Sequence, residues 1–518
     1  MAAARQINTR LKTVDRLVEL LNDKSAPALL AFLTLTALVI RVLVLTYWVD
    51  VPGDGPTKAM YAYNWHKSPY IVTQGVWLPG FLYLTGLFSF IVPNPLISIR
   101  ILNLILGTLT IPMFYLLVRK VFGNLPALFA AGVLSLLPLH VGLSASSMTD
   151  VSFLLEIIAG IFFIIKATEM TSKRKAYLAM ALFCLCLAEM TRYEAWVFVP
   201  FFPAYLYWKT RRLRYAILVT FVLSLFPISW MAGNYIHNGD FLLGFTAAKV
   251  DAWGSEVGLF EALKIMGKMT VQQLEWTLVL FAFWGMMLFS LQGLQKKLRS
   301  EQVLYLVMTC FFWILMFHFA KTRGISFQER YLLFGLVNIL AFAAVPLFKY
   351  FERDKKLLLG ALAFILFSFI LPKLLVYYPV KDVTRKKPIE IREIAFWLKE
   401  SPYRHSSILM TRMRERSTFL PLYFPEVGDH FPNLGANGRS HLIYAKRLRM
   451  ADSKLKRFLS EQRPALLITA DEDYEVQQRI EAIYGSRIVL GKPIHTQDDI
   501  KVYEIRSIMR DNNKQTQM

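Results

Sequence analysis

The sequence predicts an all-α polytopic membrane protein of about eleven transmembrane helices, with a small C-terminal α/β domain outside the cytoplasm. Two observations predict the membrane part. The 518 residues are 55% hydrophobic, with a mean hydropathy of +0.40, too apolar for a soluble chain of this length. The net charge is +22, and much of it lies in short loops between apolar runs. Those basic loops all fall on one side when the runs are threaded alternately through a bilayer, which is the signature of cytoplasmic loops. The same charge in a soluble chain would point to nucleic acid, which this pattern disfavours. A third observation predicts the second domain: beyond Tyr378 no run is long enough to span.

A span needs about 20 apolar residues to cross roughly 30 Å of hydrocarbon. Residues 1–26 (Arg5, Arg10, Lys12, Arg16) form a basic cytoplasmic start. The first run, Pro27 to Trp48, is too long for a cleavable signal and is read as a retained span. An outer loop, 49–76, follows. The apolar stretch 77–92 is short and broken by Pro79, Gly80 and Gly86. A full crossing there would carry Arg119 and Lys120 outside, so it is expected to be re-entrant or interfacial. Further spans are expected at 97–118, 125–143, 151–167, 176–190, 193–208, 215–232, 274–294, 303–320, 331–348 and 357–378, with a long outer loop at 233–271. Residues 27–378 form this transmembrane domain and 379–510 the soluble domain. Ile391, Ile394, Ala395 and Leu398 have helical spacing. Residues 407–410, 465–469 and 501–505 read as strands, 452–462 and 474–484 as helices, and 511–518 as a disordered tail.

The threading gathers ionisable residues at the outer ends of the spans. Asp54 sits in Gly53-Asp54-Gly55-Pro56, a tight turn after the first span, where it serves as a turn residue or as a carboxylate base. Asp50 lies four residues earlier, but no third oxygen ligand is nearby, so a metal site is poorly supported. Asp150, in Thr149-Asp150, has the placement of a helix cap. Arg192 and Glu194 flank Tyr193 at the turn between two spans. Gln328, Glu329 and Arg330 repeat that arrangement before another. Each arginine either pairs with a carboxylate or holds a lipid phosphate through bidentate bonds. Arg41, Glu156 and Glu189 lie within spans, where charge is costly and points to function by default. Glu156 is about 240° around its helix from Asp150 and is not expected to share its site. His66, His140 and His237 are given no catalytic role. Cys184, Cys186 and Cys310 lie in apolar runs and form no metal or disulfide pattern. Acids and arginines at one face suit an enzyme better than a pore.

These motifs resemble the C-type glycosyltransferases, in the branch of the protein O-mannosyltransferases and the lipid A aminoarabinose transferases. The resemblance rests on the order Gly53-Asp54-Gly55, Trp77-Leu78-Pro79-Gly80-Phe81-Leu82-Tyr83, Arg100-Ile101-Leu102-Asn103, Arg119-Lys120-Val121-Phe122-Gly123, Pro138-Leu139-His140-Val141, Thr149-Asp150, Thr191-Arg192-Tyr193-Glu194-Ala195-Trp196 and Gln328-Glu329-Arg330-Tyr331. It covers about the first 350 residues. Two departures stand out. Glycines flank Asp54 where the family often has a second acid, and Leu78-Pro79 replaces the Pro-Pro pair of the aminoarabinose branch.

The resemblance implies a polyprenyl- or dolichyl-phosphate sugar donor used on the non-cytoplasmic face. The membrane would be the cell (inner) membrane in a prokaryote or the endoplasmic reticulum in a eukaryote. The acceptor would be a hydroxyl of a protein, lipid or glycan. Asp54 takes the first-loop catalytic position and Asp150 the second-loop one. Arg192, Glu194, Arg330, Gln328 and Arg100 fall at substrate-binding positions. The oligosaccharyltransferase branch needs a metal and more acids than the sequence supplies, so no cofactor is expected. The rival class is a transporter or flippase of lipid-linked sugars, which usually shows repeat symmetry and matched broken spans; neither is evident.

Overall fold

The computed structural model describes residues 26–47, 54–170, 172–246, 256–295, 297–324, 327–351, 388–403, 408–410, 420, 466–470 and 492–504. Apolar runs become helices because lipid offers the backbone no partner, so each peptide group must bond within its own segment. In chain order the helices are α1 (Ala26–Tyr47), α2 (Asp54–Lys67), α3 (Gly80–Phe88), α4 (Pro95–Phe122), α5 (Asn124–Leu136), α6 (Pro138–Ser144), α7 (Asp150–Glu169), α8 (Arg174–Thr191), α9 (Phe201–Thr210), α10 (Leu213–Asn238), α11 (Leu259–Leu294), α12 (Ser300–Arg323), α13 (Leu333–Phe351) and α14 (Pro388–Glu400). Short 3-10 turns at Tyr193–Phe198 and Glu329–Leu332 lead into α9 and α13. Among the described residues seven helices are long and apolar enough to cross a membrane, or eight if the bent pair α5–α6 is one span. The chain is an integral membrane protein.

The described residues fall into two compact units. The first takes in 26–47, 70–85 and 100–351. Its core is the antiparallel pair α7–α8 together with α11, α13 and α5. Gly160 of α7 lies directly against Leu185 of α8, and Gly285 of α11 against the backbone of Phe342 in α13. A side chain at Gly160 would clash with Leu185, and one at Gly285 would force α11 away from α13. Phe122, Phe289, Tyr305 and Phe342 interlock with centroids 5.1–5.7 Å apart, edge to face except for the tilted Tyr305–Phe342 pair, an arrangement that ring quadrupoles favour.

Several expected spans take other forms. The span at 125–143 is two helices bent by 60°, because Pro138 lacks the N–H that would continue α5. The one at 193–208 is a 3-10 turn followed by the ten-residue α9. The outer loop 233–271 is shorter than expected: α10 continues to Asn238, and α11 already starts at Leu259. Inside α11, Glu275 breaks the helix with φ 62° and ψ 159°. The stretch 77–92 holds only the nine-residue α3, about 13 Å long at the helical rise and too short to span. The span expected at 357–378 lies outside the described residues.

The second unit takes in 54–69, 86–99 and the C-terminal segments from 388. It holds α2, α14 and a four-stranded mixed sheet of β1 (Ile408–Met410), β2 (Leu466–Ala470), β3 (His495–Gln497) and β4 (Ile500–Glu504), ordered β1-β2-β4-β3. β1 runs parallel to β2, and β4 pairs antiparallel with β2 and β3. Ile391, Ile394, Ala395 and Leu398 of α14 are all fully buried, as their spacing requires. The strand β3 had no counterpart in the sequence reading. The expected helices 452–462 and 474–484 and the tail 511–518 lie outside the described residues.

Candidate active site

The start of α7, the end of α8 and the turn before α13 meet at one end of the first unit. α7 begins at Asp150, whose carboxylate is 2% exposed. The cap position is Thr149, which makes no side-chain capping bond, so Asp150 sits in the first turn at the positive end of the helix dipole. Arg192, just after α8, donates through Nη1 to Asp150 Oδ1 in a very short ion pair. Its opposite edge grips Glu194, with Nη2 2.5 Å and Nε 3.1 Å from Oε1. One planar guanidinium thus serves two carboxylates, which a point-charge lysine would not do. Burial works against the Arg192 charge, but Asp150 and Glu194 outweigh it and hold its pKa above the ordinary guanidinium value.

Asp150 Oδ2 is buried and makes no hydrogen bond among the described residues. It faces Arg330, whose Nη1 is 3.9 Å away. Arg330 Nε donates to Gln328 Oε1 at 2.6 Å. Tyr331 joins the group from the centre: the guanidinium carbons of Arg323, Arg330 and Arg192 lie 5.0, 5.2 and 5.8 Å from its ring centroid. Such cation–π contacts stabilise partly desolvated arginines. Arg323 also donates to the Tyr331 hydroxyl at 2.8 Å. Glu329 accepts from the buried Gln273 of α11 at 2.6 Å.

The strap before α3 runs along the same end. Tyr193 donates to the carbonyl of Val76 at 3.1 Å, and Asn234 of α10 accepts from the Gly75 N–H at 2.8 Å. Gly80 approaches the backbone of Met190 so closely that an added Cβ would lie 2.8 Å from it.

Five of the sequence-derived site residues are therefore gathered: Asp150, Arg192, Glu194, Gln328 and Arg330. Arg100 is elsewhere in the first unit, donating through Nε to the Ala145 carbonyl at 2.8 Å and through Nη2 to that of Leu45 at 3.2 Å. Asp54 belongs to the second unit, where it opens α2; Asp50 is outside the described residues. Glu156 accepts from Ser152 at 2.6 Å, one turn along α7. His140 and Arg41 form a buried pair at 2.6 Å. Arg323 and Gln273 were missed, because at the ends of apolar runs they are indistinguishable from boundary polar residues; only the packing carries them to Tyr331 and Glu329. Among the described residues no group of three or more metal-ligating side chains occurs.

The bundle with its capping polar cluster has the fold of the C-type membrane glycosyltransferases. Residues 76–231 match the family model described as dolichyl-phosphate-mannose-protein mannosyltransferase. No curated protein matches. Among solved structures the chain is similar to ArnT from Cupriavidus metallidurans in the apo state, at 14% identity over 93% of this chain and 98% of that one, with a TM-score of 0.64. The same protein bound to undecaprenyl phosphate matches at 12% identity, over 92% and 97%, with a TM-score of 0.60. The oligosaccharyltransferase AglB from Archaeoglobus fulgidus, in complex with an inhibitory peptide and a dolichol-phosphate, matches at 12% identity over 89% of this chain and 70% of that one, with a TM-score of 0.59.

Proposed function

We propose that this glycosyltransferase moves a sugar from a polyprenyl- or dolichyl-phosphate donor to an acceptor hydroxyl on the non-cytoplasmic face, by an inverting displacement that needs no metal. The observation that carries this reading is the buried cluster of Asp150, Arg192, Glu194 and Arg330 at one end of the bundle. The relatives bound to undecaprenyl phosphate and dolichol-phosphate support a prenyl-phosphate donor.

A prenyl phosphate leaves easily, so the acceptor needs activation more than the leaving group needs protonation. Asp54 takes the acceptor hydroxyl proton as its oxygen bonds to the anomeric carbon. The bond from that carbon to the phosphate oxygen breaks, and the electron pair leaves with the prenyl phosphate. Arg330, with Gln328 beside it, stabilises the departing charge. Asp150 orients the acceptor or sugar, and Arg192 and Glu194 keep it in place. By the odd number of spans read from the sequence, the C-terminal domain belongs on the non-cytoplasmic side.

The test is incubation of the purified protein with labelled lipid-phosphate sugar and candidate acceptors. New glycosidic product is expected, and Asp54→Asn should lower its rate by roughly 10² to 10⁴-fold. A properly inserted Asp54→Asn protein with the wild-type rate rules out Asp54 as the base. Donor crossing vesicles without product would mean a transporter. Accessibility labelling that puts positions 54 and 150 on opposite leaflets would dismantle the site.

A further inference from the structure

Three buried polar side chains of α1 and α4 have backbone carbonyls as partners on the segment that delivers Asp150. Arg41, fully buried, donates through Nη1 to the Ser135 carbonyl at 3.2 Å and to that of Ala37 at 2.9 Å, and through Nε to Ser144 Oγ at 3.2 Å. Arg100 donates to the Ala145 carbonyl at 2.8 Å. Asn103, also fully buried, uses one amide nitrogen to reach the carbonyls of Ser146 and Met148, both at 2.7 Å.

These carbonyls lie where regular helix ends. The break at Pro138 removes helical donors near Ser135. Ala145, Ser146 and Met148 follow the end of α6 at Ser144 and precede the start of α7, outside regular helix. A carbonyl left unpaired in a buried site costs on the order of 1–3 kcal/mol. The Asn103 Oδ1 has no hydrogen-bond partner among the described residues, so the amide is held by its donor end.

We propose that Arg41, Arg100 and Asn103 are positioning residues for Asp150: they staple residues 135–148 so that the first carboxylate of α7 meets Arg192 and Arg330 at a fixed point. Arg100 on this account touches no substrate. The proposal deepens the site reading above and rests on Asp150 having a role in transfer.

The decisive measurement is a double-mutant cycle for sugar transfer by the full chain. Asn103→Leu and Arg100→Gln should each lower kcat/KM by roughly 10 to 100-fold, in the range of small misplacements of a working group. They should change the same kinetic constant as Asp150→Asn, and add nothing when combined with it. Arg100→Lys, which keeps the charge and a donor group, should fall between Gln and wild type. Losses that multiply with Asp150→Asn would overturn the proposal, since independent structural damage behaves that way.

Hydrogen–deuterium exchange separates failure of the staple from failure of the function. Peptides covering 140–150 should exchange faster in Asn103→Leu while those of α11 and α13 stay as in wild type, whether or not transfer is detected. Unchanged exchange at 140–150 would refute the staple on its own. Wild-type protein that yields no product with prenyl-phosphate sugars would refute the transfer reading instead, and with it Asp150's assigned role.

Discussion

Two arginine-centred regions of the first unit use one residue type in opposite ways. At Arg192 a guanidinium meets charge: both of its edges are taken by the carboxylates of Asp150 and Glu194. Arg41 and Arg100 donate to backbone carbonyls, and Arg41 also to a serine hydroxyl and a histidine ring. The first arrangement holds a carboxylate with an oxygen to spare. The second braces backbone near helix ends. An ionisable group at membrane depth therefore marks function only after its partners are known.

The largest expected effect comes from emptying the first region. Arg192→Met strands two buried carboxylates and should cost about 3–5 kcal/mol, read as a drop in the thermal midpoint in detergent; if stability is unchanged, the ion cluster is not the energetic centre described here. Arg41→Met tests the second region, where carbonyls, a hydroxyl and a ring nitrogen lose a donor. A smaller loss, about 1–3 kcal/mol, is expected, and a loss larger than that of Arg192→Met would reverse the comparison.

Arg330→Gln should cost less stability than Arg192→Met, because its approach to Asp150 is long, at 3.9 Å. It should instead raise the donor KM, and an unchanged donor KM would remove Arg330 from the phosphate site. Tyr331→Phe has the smallest expected effect. It keeps the ring under the three guanidiniums and loses only the bond from Arg323, about 0.5–1.5 kcal/mol; a collapse of activity would mean that the hydroxyl takes part in transfer.

Much of this was legible beforehand. Thr149-Asp150 and Arg192-Tyr193-Glu194 announced themselves as charge at span ends, and the fold joins them as α7 and α8 pack antiparallel. The amphipathic pattern of α14 was equally plain. The span at 125–143 was not, because hydropathy counts Pro138 as tolerable in an apolar run and does not register the lost hydrogen bond. The shortened loop 233–271 escaped for a related reason: polar residues continue a helix as well as apolar ones do, so a drop in hydropathy ends a span without ending the helix. Arg323 carried no distinguishing signal, since its partner Tyr331 lies across an irregular turn.

Composition and charge order alone determined that the chain lives in a membrane and roughly where it crosses, because transfer free energy into lipid is summed residue by residue along the chain. The tertiary structure alone decided which arginine faces carboxylates and which faces carbonyls, because that depends on helix ends brought together from positions scores of residues apart. No local string encodes such a meeting.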